Sequence, residues 1–238
     1  MNTLTSLGLQ YNTDKAFWHR YTEIYDQWFL PYKTSAKNVL EIGVLNGSSL
    51  KMLKTYFENA KIVGVDILPK TQYEDERIKC FVCDQSKRSN LQQFIRACDN
   101  LSRETDSVNQ GLMFDVIIDD GSHISEHQMI TLSSLWKSLK PGGIYVVEDL
   151  HTSALDFSDA SACHSIKRWQ DLQKLDSIWL TEEEKAMLQS EADQVIWWKR
   201  DVLPLNCWKC MKTVPCGCNI DFMNDGNGSI TSCIVKKN

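Results

Sequence analysis

Two short groups of residues carry the most chemically loaded pattern in the chain. Asp119, Asp120 and His123 follow one apolar run, FDVIID, and Glu148 and Asp149 follow another, IYVV. Neighbouring parallel strands lie about 4.8 Å apart, so strands built from these runs would bring the carboxylates together at their ends. Carboxylates that crowd repel unless one is protonated or a cation lies among them. An all-oxygen set of this kind suits Mg²⁺, Mn²⁺ or Ca²⁺ rather than zinc. Asp120, Glu148 and Asp149 are therefore the expected ligands of one hard divalent cation, Mg²⁺ or Mn²⁺, which would orient and acidify a hydroxyl. His123 is the expected general base, since imidazole titrates near neutral pH, and Asp120 is counted with it as catalytic. The plainer alternative makes Asp119 and Asp120 turn residues and His123 a helix cap. His127 reads as an exposed helix histidine, although with His123 and Asp120 it has zinc-like spacing. His151 is a candidate for lining an acceptor pocket.

A second group surrounds a glycine loop, Glu41-Ile42-Gly43-Val44-Leu45-Asn46-Gly47. It lies at a strand-to-helix turn, where open α/β sheets bind ligands. Glycines there let the backbone approach a ligand, and N–H groups at a helix start can meet an anion. The spacing Gly-x-x-x-Gly differs from the Gly-x-Gly-x-x-Gly of dinucleotide folds. Asp66 closes the next apolar run, where an acid can accept both ribose hydroxyls. Asp84, with Gln85, closes the one after, where an adenine would lie. Three successive strand ends carrying Glu41, Asp66 and Asp84 point to a nucleoside site.

The elements that must position these groups follow from the pattern. NVLEIGV (38–44), KIVGVDI (61–67), IKCFVCD (78–84), FDVIIDDG (114–121) and GGIYVVEDL (142–150) read as strands. Helical spacing fills the gaps at 48–59, 89–101 and about 125–139. Short runs that are apolar throughout, each followed by a helix, are the mark of a parallel sheet buried on both faces. The fold expected is α/β, a Rossmann-like doubly wound sheet, mostly parallel, with added N-terminal and lid helices. Residues 13–30 carry Phe17, Tyr21, Ile24, Tyr25 and Trp28 at helical intervals, and 164–178 look helical again. Thr181 with Glu184 forms a capping box for a helix expected to run to about Lys199. NIDFM and ITSCIVKK, joined by NDGNGS, read as a terminal antiparallel hairpin. The division expected is N-terminal helices (1–36), a ligand-binding core (37–150), a helical insertion (151–205), a Cys-rich loop (206–218) and the hairpin (219–238), all in one domain.

VLEIGVLNGSSL, VGVDI, CDQS, FDVIIDDGSH and LKPGGIYVVEDLHTS resemble the class I S-adenosylmethionine-dependent methyltransferases. More narrowly, the chain resembles the metal-dependent macrocin and mycinamicin O-methyltransferases and the cephalosporin-hydroxylase-like group, over about residues 10–155. NTDKAFWHRYTEIY is similar to that group's N-terminal segment, which helps close the site. The resemblance implies S-adenosylmethionine as methyl donor, with Glu41, Gly43 and Gly47 bordering its methionine part, Asp66 its ribose, and Asp84 and Gln85 its adenine. Asn46, Ile67 and Asp119 are counted with the same donor-binding set. It also implies a sugar hydroxyl as acceptor, on a small molecule or a glycan. The rivals are catechol-type methylation, hydroxylation at a two-histidine, one-carboxylate iron triad (none stands out), and a non-catalytic donor-binding subunit.

Outside this core the composition is uneven. Seven of the eight Trp lie outside residues 37–150, Trp136 being the exception. Trp18, Trp28, Trp169, Trp179, Trp197 and Trp198 are either core residues or an indole lining for a sugar. Cys207 and Cys210 are spaced Cys-x-x-Cys, and Cys216 and Cys218 Cys-x-Cys. Together they either hold a structural Zn²⁺, stand as loop thiols or form disulfides. Nine Cys is an odd number; the opening MNTLTSLGLQYNTDK lacks a basic segment followed by an apolar block, so reduced thiols and a cytoplasmic setting are expected. A formal charge of −5 without a basic run gives no footprint for nucleic acid, and no apolar stretch is long enough for a bilayer. A homo-oligomer is compatible with all of this.

Overall fold

The computed structural model describes residues 3–105, 111–153, 160–214, 216–218 and 228–238. Five strands run in parallel: β1 (Asn38–Ile42), β2 (Lys61–Asp66), β3 (Ile78–Val82), β4 (Phe114–Asp119) and β5 (Leu139–Val147). Two more, β6 (Ala192–Lys199) and β7 (Ile230–Lys236), complete a seven-stranded sheet in the order β3-β2-β1-β4-β5-β7-β6. The order reverses between β1 and β4, so the crevice at the carboxyl ends of these strands is the natural ligand site.

Alternation along each strand feeds two cores, because successive side chains leave opposite faces. Leu40, Ile117, Tyr145 and Val147 enter one; Val39, Val116, Ile118, Ile144 and Val146 enter the other. Helices α5 (Arg88–Thr105), α6 (Ser125–Leu135), α7 (Ala162–Leu172) and α8 (Glu182–Glu191) supply Leu91, Met129, Ile166 and Leu188 to the first. The second is closed by α1 (Leu4–Gln10), α3 (Tyr21–Phe29) and α4 (Ser48–Tyr56) through Leu4, Tyr25, Phe29 and Leu53, while α2 (Asp14–Phe17) joins α1 to α3.

The C-terminal pattern differs from expectation in two ways. The capping box forms, with Thr181 Oγ1 accepting from Glu184 N and Glu184 from Thr181 N. The helix nevertheless stops at Glu191, and 192–199 is strand. The run Val195-Ile196-Trp197-Trp198 is β-branched and aromatic, and it buries its sides by pairing antiparallel with β7 over Ala192–Lys199. The antiparallel partners of ITSCIVK are therefore β6 and β5; NIDFM (219–223), the expected partner, lies outside the described residues. Within 151–205 the last described helix therefore ends at Glu191. Among the described residues no helix is long and apolar enough to cross a membrane.

Most of the flanking tryptophans are packing residues. Trp169 belongs to the first core, Trp179 and Trp197 pack against it, and Trp28 and Trp198 pack against the second. Trp18 differs, meeting the half-exposed Trp208 edge to face at 6.3 Å.

Candidate active site

Two clefts flank the turn after β1. One, of about 210 Å³, is lined by Gly43, Asp66, Ile67, Asp84, Gln85 and Gly121, among others. The other, of about 160 Å³, is lined by Lys15, Gly43, Asn46, Ser49, Asp120 and Met211, among others. The wall between them is the glycine loop, and its shape has a steric cause. Gly43 has φ +93°, and a Cβ there would lie 1.9 Å from the Asp120 carbonyl oxygen. The β1 and β4 turns thus touch through backbone, and the touch sets where Asp120 stands.

The residues expected around a donor divide into those that face the clefts and those that brace them. Asp66 faces the first cleft, where its oxygens also accept from the N–H groups of Val44 (3.1 Å), Leu45 (3.2 Å) and Leu68 (2.9 Å), tying the loop to β2. Ile67 is largely exposed beside it. Asp84 accepts from Ser86 Oγ (2.6 Å) and pairs with Lys87 (2.9 Å), contacts that hold its carboxyl down at about 2. Asn46, which lines the second cleft, accepts from Ser48 N at 3.0 Å just before α4. Gly47, at φ +71°, packs under the Tyr73 ring.

Gln85 lines the first cleft and also braces the buried Asp119. Gln85 Nε2 donates to Asp119 Oδ1 (3.1 Å) and Thr131 Oγ1 (3.2 Å), and its Oε1 accepts from Ser122 N (2.7 Å). Asp119 is fully buried and lines neither cleft; burial pushes its carboxyl up to about 6. Asp119, expected in the donor-binding set, thus stands behind the cleft wall. The alternating pattern of β4 points Asp119 inward and leaves the next residue, Asp120, at the rim.

At that rim lies a cation that was not in the expected ligand set. Lys15 Nζ donates to Asp120 Oδ2 and to Glu148 Oε2 (2.8 Å) and stands 3.5 Å from Glu41 Oε1, with the lysine buried. Burial alone would lower its pKa, but Asp120, Glu148 and Glu41 outweigh that and raise it well above the usual value. Burial also raises Glu148 and Asp120, and lifts Glu41 to about 7. One ammonium facing two buried carboxylates, Glu41 and Glu148, and a third, Asp120, at the rim leaves negative charge uncompensated, which is the condition that recruits a proton or a further cation. Glu148 is also held from the other side, by Tyr25 Oη donating to Oε1 at 2.7 Å. The ammonium therefore occupies the place between Asp120 and Glu148 that the expected three-carboxylate site gives to a metal.

Asp120, His123 and Asp149 do converge. Their ligating atoms lie within 4.8 Å of one another, and His123 Nε2 is 3.5 Å from Asp149 Oδ2. His123 and Asp149 both adopt left-handed backbone, at φ +58° and +53°, a conformation that costs energy for residues with a Cβ and clusters at functional sites. His123 Nδ1 is buried with no hydrogen-bond partner. Asp149 also accepts from Tyr21 Oη at 2.7 Å, with His19 Nδ1 3.5 Å and His151 Nδ1 3.8 Å away. Burial works against its charge, yet His19, His123 and His151 together hold it well below the ordinary carboxylate range. Burial likewise lowers His151 to about 4, so that ring is neutral at working pH.

His19, Asp149 and His151 form a second convergent set, a two-histidine, one-carboxylate trio that the sequence did not announce. Both facing nitrogens already have partners, Ser229 Oγ at 2.9 Å and Ile230 N at 3.4 Å, so the trio positions Asp149. His127, half-buried on α6, bonds Ser122 Oγ at 2.8 Å and faces the first cleft instead of joining His123. Lys15, His19, Tyr21 and Tyr25 were missing from the expected site residues. The signal was a lysine, a histidine and two tyrosines within an otherwise core-forming N-terminal helical pattern.

Residues 40–150, from mid-β1 to just beyond Asp149, match the family described as "Methyltransferase domain". Over those residues, just under half of the chain, the sequence is similar to that family. The 8-demethyl-8-alpha-L-rhamnosyl tetracenomycin-C 2'-O-methyltransferase of Streptomyces olivaceus is 39% identical over 157 residues, 63% of this chain and 38% of that one. Mycinamicin VI 2''-O-methyltransferase of Micromonospora griseorubida is 35% identical over 158 residues, 63% of this chain and 36% of that one. The chain thus spans little more than a third of the length of these curated relatives. Among solved structures, the MycE methyltransferase of the mycinamycin biosynthetic pathway, in complex with Mg, SAH and mycinamycin VI, superposes with a TM-score of 0.69 at 23% identity. That match covers 99% of this chain and 55% of MycE. The mostly parallel sheet with an antiparallel strand pair at its edge is the fold shared with MycE.

Proposed function

We propose that the chain is a divalent-metal-assisted, S-adenosylmethionine-dependent O-methyltransferase that acts on a hydroxyl of a sugar or of a glycosylated small molecule. The observation that carries this reading is the position of Asp120: it belongs at once to the Asp120–His123–Asp149 cluster and to the wall of the second cleft. A donor seated across Gly43 would place its methionine end in that cleft, beside the acid. The relatives' names supply the acceptor class, since they specify hydroxyls on sugars of tetracenomycin and mycinamicin.

The residues fit the cation. Asp120 and Asp149 offer hard oxygens on adjacent turns, and uncompensated negative charge surrounds Lys15. Asp120 and Asp149 would hold it; Glu148 joins them only if Lys15 withdraws from between it and Asp120. Bound there, Mg²⁺ or Mn²⁺ would stabilise negative charge developing on an acceptor hydroxyl. His123, whose Nε2 stands 3.5 Å from Asp149 Oδ2, would receive the hydroxyl proton. Asp149, held by Tyr21 Oη at 2.7 Å, would then stabilise the imidazolium. Glu41, fully buried and fixed by Ser49 Oγ at 2.6 Å, would back the glycine loop at the donor's methionine end. The remaining work is alignment of oxygen, methyl and sulfur and exclusion of water.

A methyl-transfer screen over free sugars, nucleotide sugars and glycosylated acceptors, each with and without Mg²⁺, tests the proposal. His123→Ala is expected to lower turnover by about 10²–10⁴-fold while leaving donor affinity within a few-fold. Full turnover of His123→Ala, or activity unaffected by EDTA after verified metal removal, would overturn it. A donor that binds but is never consumed with any acceptor would support a non-catalytic subunit instead.

A further inference from the structure

The four cysteines between β6 and β7 take no part in the site just described, and they come together. The sulfurs of Cys207, Cys210, Cys216 and Cys218 lie within 4.8 Å of one another, and all four thiols are free. A tetrahedral zinc with Zn–S of about 2.3 Å needs sulfurs about 3.8 Å apart, a spacing this group reaches with small side-chain adjustments. We propose that Cys207, Cys210, Cys216 and Cys218 bind one structural Zn²⁺ that fastens the β6–β7 connection to the N-terminal segment at the mouth of the second cleft.

Local backbone geometry supports this. Cys207 and Cys210 stand on a tight turn closed by Met211 N to Cys207 O (2.7 Å) and Cys207 N to Lys212 O (2.8 Å). An antiparallel bridge between Asn206 and Thr213, and Val214 N bonded to Leu205 O (3.1 Å), extend the closure. Met211 takes φ +57°, a left-handed step that turns the chain back immediately after the second cysteine. A tetrathiolate leaves no open position, so the role is structural.

The attachments show what the ion would hold. Leu205 N (2.8 Å) and Asn206 N (3.0 Å) both donate to Phe17 O, Arg20 donates to Leu203 O (2.9 Å), and Trp208 packs on Trp18. Met211 lines the same cleft as Lys15 and Asp120. Fastening this turn therefore fastens the wall facing the glycine loop.

Zinc content of the chain, expressed with zinc and purified in a phosphine reductant without chelator, tests the proposal by elemental analysis and native mass spectrometry. About one Zn²⁺ per chain is expected, falling below a tenth in Cys207→Ser/Cys210→Ser and unchanged in Cys80→Ser. Co²⁺ exchanged into the wild-type chain should show the thiolate charge-transfer and visible d–d bands of a tetrahedral site. These wild-type readouts decide the matter even if the double variant fails to fold. No stoichiometric zinc together with no uptake from a chromophoric zinc chelator, or disulfides among these four residues in the untreated protein, would overturn it. None of these readouts depends on methyl transfer.

Discussion

At the scale of single residues, the site turns on Lys15. A lysine in a helical stretch among Phe17, Tyr21 and Tyr25 ought to reach solvent, but its ammonium lies inside the carboxylate cluster. Removing one partner of a buried charge group leaves the others uncompensated, typically at about 3–5 kcal/mol. Lys15→Met should destabilise the protein by that order, and the size should depend on pH. Glu41 is the readable case: its folded-state pKa is about 7 against 4.5 in the free side chain. Burial makes the folded state keep its proton longer than the unfolded state, so the stability associated with Glu41 falls as pH rises from about 4.5 through 7. Without Lys15 the folded-state value climbs further and the loss extends to higher pH. Urea unfolding should therefore show a larger deficit for Lys15→Met at pH 8 than at pH 5.5; an equal deficit at both would deny Lys15 this electrostatic role.

At the scale of elements, what was legible and what was not follow from where stability comes from. The five parallel strands and their helices were readable because each run is apolar on both faces, and the strand ends placed Asp120, His123 and Asp149 together in advance. β6 was read as helix because a sound capping box precedes it, and local capping cannot reveal that Val195–Trp198 finds a strand partner in β7 more than thirty residues further along. Gln85 and Asp119 were assigned to the ligand because strand-end acids and amides usually face it; only the packing shows that Gln85 faces the first cleft while bracing a fully buried Asp119 behind it. Two substitutions separate local from tertiary control. Thr181→Ala removes a cap whose consequences are local, and should cost about 1 kcal/mol. Gly43→Ala forces a Cβ onto the Asp120 carbonyl at φ +93°. Left-handed strain of about 1–2 kcal/mol and overpacking of about 1–3 kcal/mol put its cost near 2–5 kcal/mol. Donor affinity should fall with it, measurable by calorimetry, whereas Thr181→Ala should leave affinity unchanged.

At the scale of the whole molecule, the N-terminal helices, the sheet's carboxyl edge and the β6–β7 connection meet around one point, and their coupling is measurable. Lys15 comes from the first, Gly43 and Asp120 from the second, Met211 from the third, and all four line the second cleft. A ligand bound only by the folded state stabilises it by mass action, about 2.7 kcal/mol at a hundred times its Kd. For a chain of 238 residues that corresponds to a rise in Tm of roughly 5–10 °C. S-adenosylhomocysteine, the donor without its methyl, should produce such a shift in thermal unfolding. Mg²⁺ should add a further increment, larger with the nucleoside present than alone, because the turn that bears Asp120 is in backbone contact with the loop proposed to cradle the nucleoside. Asp149→Asn should abolish the Mg²⁺ increment and leave the S-adenosylhomocysteine shift, since Asp149 lines neither cleft. Loss of both shifts together would show that Asp149 supports the fold of the whole edge; retention of both would remove it from the metal site.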